Sequence, residues 1–167
     1  MKLDFRKLKL HPRESELFYL QPRGSDDLLS EVGGRFIEPL AIEIVVENTG
    51  TIFDGRGIIK TELELTCSRC LKKFAHPLAI EFEVTLVENN SGDHYSPDEG
   101  FIIFQGDEAD IRSGVDEAVF MAIPISPICR EDCQGLCPVC GQDKNILACS
   151  CEAETLDPRW EKLKYLE

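Results

Sequence analysis

Apolar and polar positions alternate with a period of two through most of residues 40 to 86. In "LAIEIVVE", Leu40, Ile42, Ile44 and Val46 share one face, with Glu43 and Glu47 on the other. "IIKTELELTC" puts Ile59, Thr61, Leu63, Leu65 and Cys67 on one side and Lys60, Glu62, Glu64 and Thr66 on the other. "PLAIEFEVTLVE" repeats this, with Leu78, Ile80, Phe82, Val84 and Leu86 inward and Glu81, Glu83 and Thr85 outward. Such alternation predicts half-buried antiparallel strands. "NTGTIFDGRG" between the first two is rich in turn residues, and Asp54-Gly55 is the expected hairpin signal. Residues 58–67 and 74–87 then form the arms of a second hairpin, whose tip carries "CSRCLKK".

Beyond this hairpin, "NNSGDHYSPDEG" reads as a long polar loop and "FIIF" as a short strand. The period then changes. Ile111, Val115, Ala118, Val119 and Ala122 form one apolar stripe, predicting a helix over about residues 110–122. Asp110 is placed to cap its start and Pro124 to limit its extent. "DPRWEKLKYLE" predicts a short C-terminal helix with Pro158 in its first turn. The expected fold is α+β: a predominantly antiparallel sheet or open barrel, one main helix, and a cysteine-rich, metal-stapled C-terminal extension. The boundary falls near residue 125, with residues 126–167 packed on a β-rich domain of residues 1–125.

No apolar run approaches the roughly 18–20 residues of a membrane span, and the basic start lacks the apolar stretch of a signal peptide. The expected location is the cytoplasm, without membrane association. There, thiols are kept reduced, so eight cysteines point to metal binding more than to disulfides. They come in close pairs: Cys67 and Cys70, Cys129 and Cys133, Cys137 and Cys140, Cys149 and Cys151. A Cys-x-x-Cys turn lets two sulfurs reach one ion, and "CPVCG" has the form of a zinc knuckle, with Gly141 supplying backbone freedom after the second ligand.

Four pairs can build two tetrahedral sites in three ways. Cys137 and Cys140 can join Cys149 and Cys151, or Cys129 and Cys133; a ribbon-like alternative joins them to Cys67 and Cys70. Spacing leaves these open, and also leaves open a single tail site with Cys67 and Cys70 reduced and merely packed. The expectation is one or two structural zinc ions on the tail cysteines, with Cys67 and Cys70 as further candidates. A disulfide framework suits the compartment poorly. A dithiol redox centre should sit at a strand-to-helix junction, whereas Cys67 and Cys70 lie between two strands. His11, His76 and His94 are scattered, and no H-E-x-x-H, phosphate loop or nucleophile elbow is present. The expectation is therefore a protein with no catalytic residues and no small-molecule substrate.

A net charge of −13 argues against a general nucleic-acid surface. Positive charge is local: Arg69, Lys72 and Lys73 at the hairpin tip, and Lys2, Arg6, Lys7, Lys9 and Arg13 near the start. Residues 88–117 carry nine carboxylates against Arg112 alone. Each run reads first as a solvated face. The sharper expectation gives the basic clusters to RNA and the acidic run to a basic protein partner.

In order, "LTCSRCLKKF", "VDEAVFMAIPISPIC", "GLCPVCGQDKN", "CSC" and "DPRWEKLKYL" resemble the YceD family of large ribosomal RNA subunit accumulation proteins. The resemblance implies a bacterial-type cytosolic factor in ribosome biogenesis, with ribosomal RNA, a pre-ribosomal particle or a basic ribosomal protein as partner. It names no catalytic residue. Some relatives keep the element matching Cys67, Arg69 and Cys70 without the C-terminal cysteines. "GQDKN" departs from an Asn-Leu-Asn-like continuation, Asp143 and Lys144 being more polar, which bears on how the tail packs. A thiol-based redox or zinc-responsive regulator is the alternative expectation.

Overall fold

The computed structural model describes residues 1–89, Ser96 and residues 100–151. The expected C-terminal helix and most of the expected polar loop lie outside the described residues. Strands β1 (Lys2–Asp4), β2 (Ser15–Leu20), β3 (Arg35–Phe36), β4 (Ala41–Asn48), β5 (Phe53–Thr66), β6 (Lys73–Glu88), β7 (Phe101–Phe104) and β8 (Glu108–Asp110) precede helix α1 (Arg112–Ala122). Two short 3-10 turns, Leu8–Leu10 and Asp26–Leu29, interrupt the N-terminal part.

The large sheet runs β2-β4-β5-β6-β7, with β3 also on β5, and β1 pairs with β8 in a small second sheet. Every strand pair is antiparallel except β6 with β7, which run parallel from Thr85 opposite Phe101 to Glu88 opposite Phe104. The mostly antiparallel α+β reading therefore holds. Hairpin β5–β6 is the spine: β6 covers one edge of β5 throughout, while β4 and β3 share the other.

Alternation has its predicted effect. Leu40, Ile42, Ile44 and Val46 are buried, as are Ile59, Thr61, Leu63, Leu65 and Cys67, and Leu78, Phe82, Val84 and Leu86. All of these but Thr61 and Cys67 join one core with Leu3, Phe5, Leu8, Leu29, Ile111, Val115 and Val119, so the N-terminal segment and α1 close one face of the sheet; Cys67 packs in a separate cluster with Cys70 and Cys133. Each fully buried Leu or Ile there contributes roughly 2–3 kcal/mol. Phe5 anchors this lid, stacked on Phe53 at 5.0 Å between centroids and edge-on to Phe104 at 5.4 Å. Residues 2–9 gave no periodic signal, being too short and too charged. Their basic side chains are largely neutralised: Lys2 pairs with Glu108 at 2.8 Å, Arg6 with Asp4 and Lys9 with Glu88, each at 2.5 Å.

Two local expectations are corrected. Asp54 and Gly55 are not a hairpin turn: they lie inside β5, opposite Glu47 and Val46. The turn is at residues 49–52. Asn48 Oδ1 accepts the Gly50 N–H at 2.8 Å, Thr49 N–H donates to Ile52 O at 3.0 Å, and Gly50 takes φ 97°. Gly55 serves packing instead, since a Cβ there would sit 2.9 Å from Val84 Cγ2 and 3.0 Å from Ile44 Cδ1. Asp110 is likewise not the N-cap. It ends β8, Ile111 occupies the cap position, and Asp110 reaches forward to accept the Arg112 N–H at 3.0 Å.

Candidate metal centres at the hairpin tip

Two turns of the same form present the cysteine pairs. At the β5–β6 tip, Cys67 N–H donates to Lys72 O and Leu71 N–H to Cys67 O, both at 2.9 Å. In the tail, Cys137 N–H donates to Gln142 O at 2.8 Å and Gly141 N–H to Cys137 O at 2.9 Å. The residue after each second cysteine is left-handed, Leu71 at φ 59° and Gly141 at φ 73°. Glycine tolerates that conformation, whereas a side chain with a Cβ costs about 1–2 kcal/mol.

The eight sulfurs divide into two groups of four, each with all ligand atoms within 4.8 Å of one another. One comprises Cys67, Cys70, Cys129 and Cys133; the other comprises Cys137, Cys140, Cys149 and Cys151. Of the three pairings that spacing allows, the structure has the one in which the tail knuckle closes on "CSC" and the hairpin pair closes on Cys129 and Cys133. All eight are free thiols, with Cys67 Sγ 3.9 Å from Cys133 Sγ and Cys70 Sγ 3.7 Å from Cys129 Sγ. Either group can hold a metal ion. The first is largely buried, under Phe74, Ile128 and Leu136; in the second Cys140 and Cys151 are exposed.

Backbone and side-chain bonds fasten the tail to the tip. Ser68 N–H donates to Pro127 O at 2.8 Å, and Leu136 N–H to Arg69 O at 3.0 Å. The Arg69 guanidinium in turn donates to Cys133 O at 3.0 Å. Arg69 is thus built into the tip. Lys73 pairs with Glu64 at 3.0 Å, which Arg35 also meets at 3.1 Å. Lys72 is exposed and makes no ion pair among the described residues. Of the three residues expected to contact RNA or a partner, it has the least internal work.

The family described as "Large ribosomal RNA subunit accumulation protein YceD" matches residues 55–167, a stretch that contains all eight cysteines. The chain belongs to the YceD family. It is 31% identical over 102 residues to an uncharacterized protein of Mycobacterium tuberculosis (strain ATCC 25618 / H37Rv), covering 58% of this chain and 47% of that one. An uncharacterized protein of Mycobacterium leprae (strain TN) is 24% identical over 126 residues, 75% of this chain and 58% of its own. The chain thus spans about half the length of the curated relatives it matches. No solved structure matches it.

Within this YceD chain the four-thiol groups are electrostatically uneven. Burial pushes the Cys67 thiol up, but N–H groups of Cys70, Cys129 and Arg69 aimed at its sulfur outweigh that and bring it down to about 6. In the tail, N–H groups of Cys140 and Val139 bring Cys137 down to about 6 as well. Their partners move the other way. Burial, then hydrogen bonding to Cys70, pushes Cys129 up to about 12; the bond to Cys140 does the same to Cys151. Each group thus holds one sulfur biased toward the thiolate and one biased away from it.

Spacing did not point to Asn145. Its Oδ1 accepts Gln134 N–H at 2.8 Å and Arg130 at 2.9 Å, while its Nδ2 donates to Cys133 Sγ at 3.5 Å and to Asp143 Oδ1 at 2.6 Å. The polar "DKN" departure is therefore used: Asp143 holds Asn145, and Lys144 N–H donates to Gly135 O at 3.0 Å. No periodicity marks such a residue, because most of its partners lie eleven to fifteen residues away, in the turn at residues 130–134.

Proposed function

We propose that this YceD protein is a non-enzymatic ribosome-biogenesis factor of the cytoplasm, supporting accumulation of large-subunit ribosomal RNA. In this reading each cysteine group holds one structural zinc ion, and the hairpin tip around Lys72 and Lys73, positioned by Arg69, contacts pre-ribosomal RNA or a ribosomal protein. The observation that carries it is the division of eight thiols into two sets of four in a family described by ribosomal RNA accumulation.

Zinc fits the donor set. Sulfurs about 2.3 Å from a tetrahedral ion stand about 3.8 Å apart, and the cross-pairs in the first group stand 3.9 and 3.7 Å apart. Four thiolates leave no open coordination position, so such an ion would be structural. Its charge would favour the thiolate at Cys129, which burial pushes up, and at Cys151, which its bond to Cys140 pushes up, and the N–H groups on Cys67 and Cys137 would hold those sulfurs in place.

Two measurements test this. Protein purified under reducing conditions should contain two zinc ions per chain; no bound zinc together with thiol–disulfide exchange would instead favour the redox regulator. Separately, Lys72→Glu with Lys73→Glu, Arg69 being kept for its bond to Cys133, should weaken salt-dependent association with large-subunit precursors while leaving zinc content unchanged. Undiminished association would remove the tip from the reading.

A further inference from the structure

The face of the large sheet opposite the core is laid out in cross-strand rows. In one, Leu17, Val45, Arg56 and Glu83 succeed one another across β2, β4, β5 and β6. In the next, Tyr19, Glu43, Ile58 and Glu81 do the same. Leu17 and Val45 are directly opposed, and Tyr19 and Ile58 lie on diagonals from Val45, within reach of its side chain. These four side chains are 43%, 44%, 68% and 41% exposed in the order Leu17, Val45, Tyr19, Ile58. A sheet needs only one apolar face to fold, so this contiguous second patch asks for a covering.

The rim says what kind. Arg56 is engaged by Asp54 and Glu83, each at 3.4 Å, and so presents little free positive charge. Glu43, Glu47 and Glu81 make no ion pair among the described residues. Lys60, one row beyond Ile58, stands against these three carboxylates. Phosphates would be repelled here, and a second copy placed face to face would oppose carboxylate to carboxylate.

The geometry points to this face as a docking surface for a Lys/Arg-rich protein segment that carries apolar side chains. Its apolar residues cover Leu17, Val45, Tyr19 and Ile58, while its cations meet Glu43, Glu47 and Glu81. The surface is separate from the cysteine end and stands apart from the zinc and hairpin-tip readings. With both, the protein would hold RNA or a particle at one end and a basic protein on its sheet.

The test uses the full chain and a fluorescent synthetic peptide alternating arginine with leucine, with a glutamate-for-arginine version as control. The basic peptide should bind saturably at low salt and the acidic one should not. Glu43→Lys with Glu81→Lys should weaken binding about tenfold, as should Tyr19→Ser with Ile58→Ser, each with an unshifted thermal transition. Lys72→Glu with Lys73→Glu should leave peptide binding unchanged. Equal binding of the two peptides, no saturable binding, or full binding by both sheet-face variants overturns the proposal. So does loss of oligouridylate binding in the Tyr19→Ser, Ile58→Ser variant, which assigns the face to RNA. A dimer in sedimentation that Val45→Lys dissolves assigns it to a second copy and overturns it equally.

Discussion

The two cysteine groups share a turn and a ligand type but differ in what they join. Cys137, Cys140, Cys149 and Cys151 come from one short stretch, so closing them organises only that stretch. Cys67 and Cys70 meet Cys129 and Cys133 from 59 to 66 residues away, so closing them holds the tail against the hairpin. The local group is exposed at Cys140 and Cys151, whereas Cys67 and Cys133 are 0% and 3% exposed. The same chemistry is a clip in one place and a long-range staple in the other. A longer loop closed by a cross-link removes more freedom from the unfolded chain.

Breaking the staple should have the greatest consequence. With Cys67→Ser and Cys70→Ser, zinc should fall from two ions to one per chain. Limited proteolysis after Arg130 should accelerate at least about tenfold as the tail lifts from Ser68 and Arg69. The main apolar core includes no residue of this tail, so its thermal transition should persist.

Next comes metal removal by a strong chelator in reducing buffer. Release should be biphasic, the exposed local group giving up its ion first and the buried group at least about tenfold more slowly. Adding Cys149→Ser and Cys151→Ser should abolish the fast phase alone. A single phase from the wild-type protein would show that the groups do not differ in access.

Asn145→Ala removes the side chain that braces the turn carrying Arg130, Cys133 and Gln134. It should cost about 1–2 kcal/mol in chemical denaturation and speed release of the slow ion, leaving the fast one alone.

The smallest effect compares the two knuckles directly. Leu71→Gly relieves a left-handed residue that is 65% exposed and should stabilise by up to about 1 kcal/mol. Gly141→Ala introduces the same strain in open space and should destabilise by about 1–2 kcal/mol. Zinc stoichiometry should stay at two in both.

Much of this was legible in the sequence where a periodic signal existed. The inward residues of β4, β5 and β6 are those that alternation picks out, and the stripe from Ile111 to Val119 is the buried side of α1. Asp54-Gly55 has the form of a turn dipeptide, but its neighbours override that signal. Asn48, Thr49 and Gly50 supply a better-bonded turn, and packing against Val84 and Ile44 claims Gly55 for the strand. The N-terminal segment carries no such signal, since Leu3, Phe5 and Leu8 bury themselves from a stretch otherwise made of charges.

Local spacing is enough to set the strand faces, the helix and the grouping of the cysteines into four close pairs, because each rests on a pattern within a few residues. It also left Leu71 and Gly141 at matching places after two knuckles. Which pair meets which was decided only in three dimensions. The β5–β6 hairpin carries Cys67 and Cys70 to the tip, and Pro127 and Leu136 are hydrogen-bonded onto it, so the segment between them sets Cys129 and Cys133 beside the hairpin pair. Contacts across about sixty residues of chain depend on where folded elements end, and no local spacing encodes that.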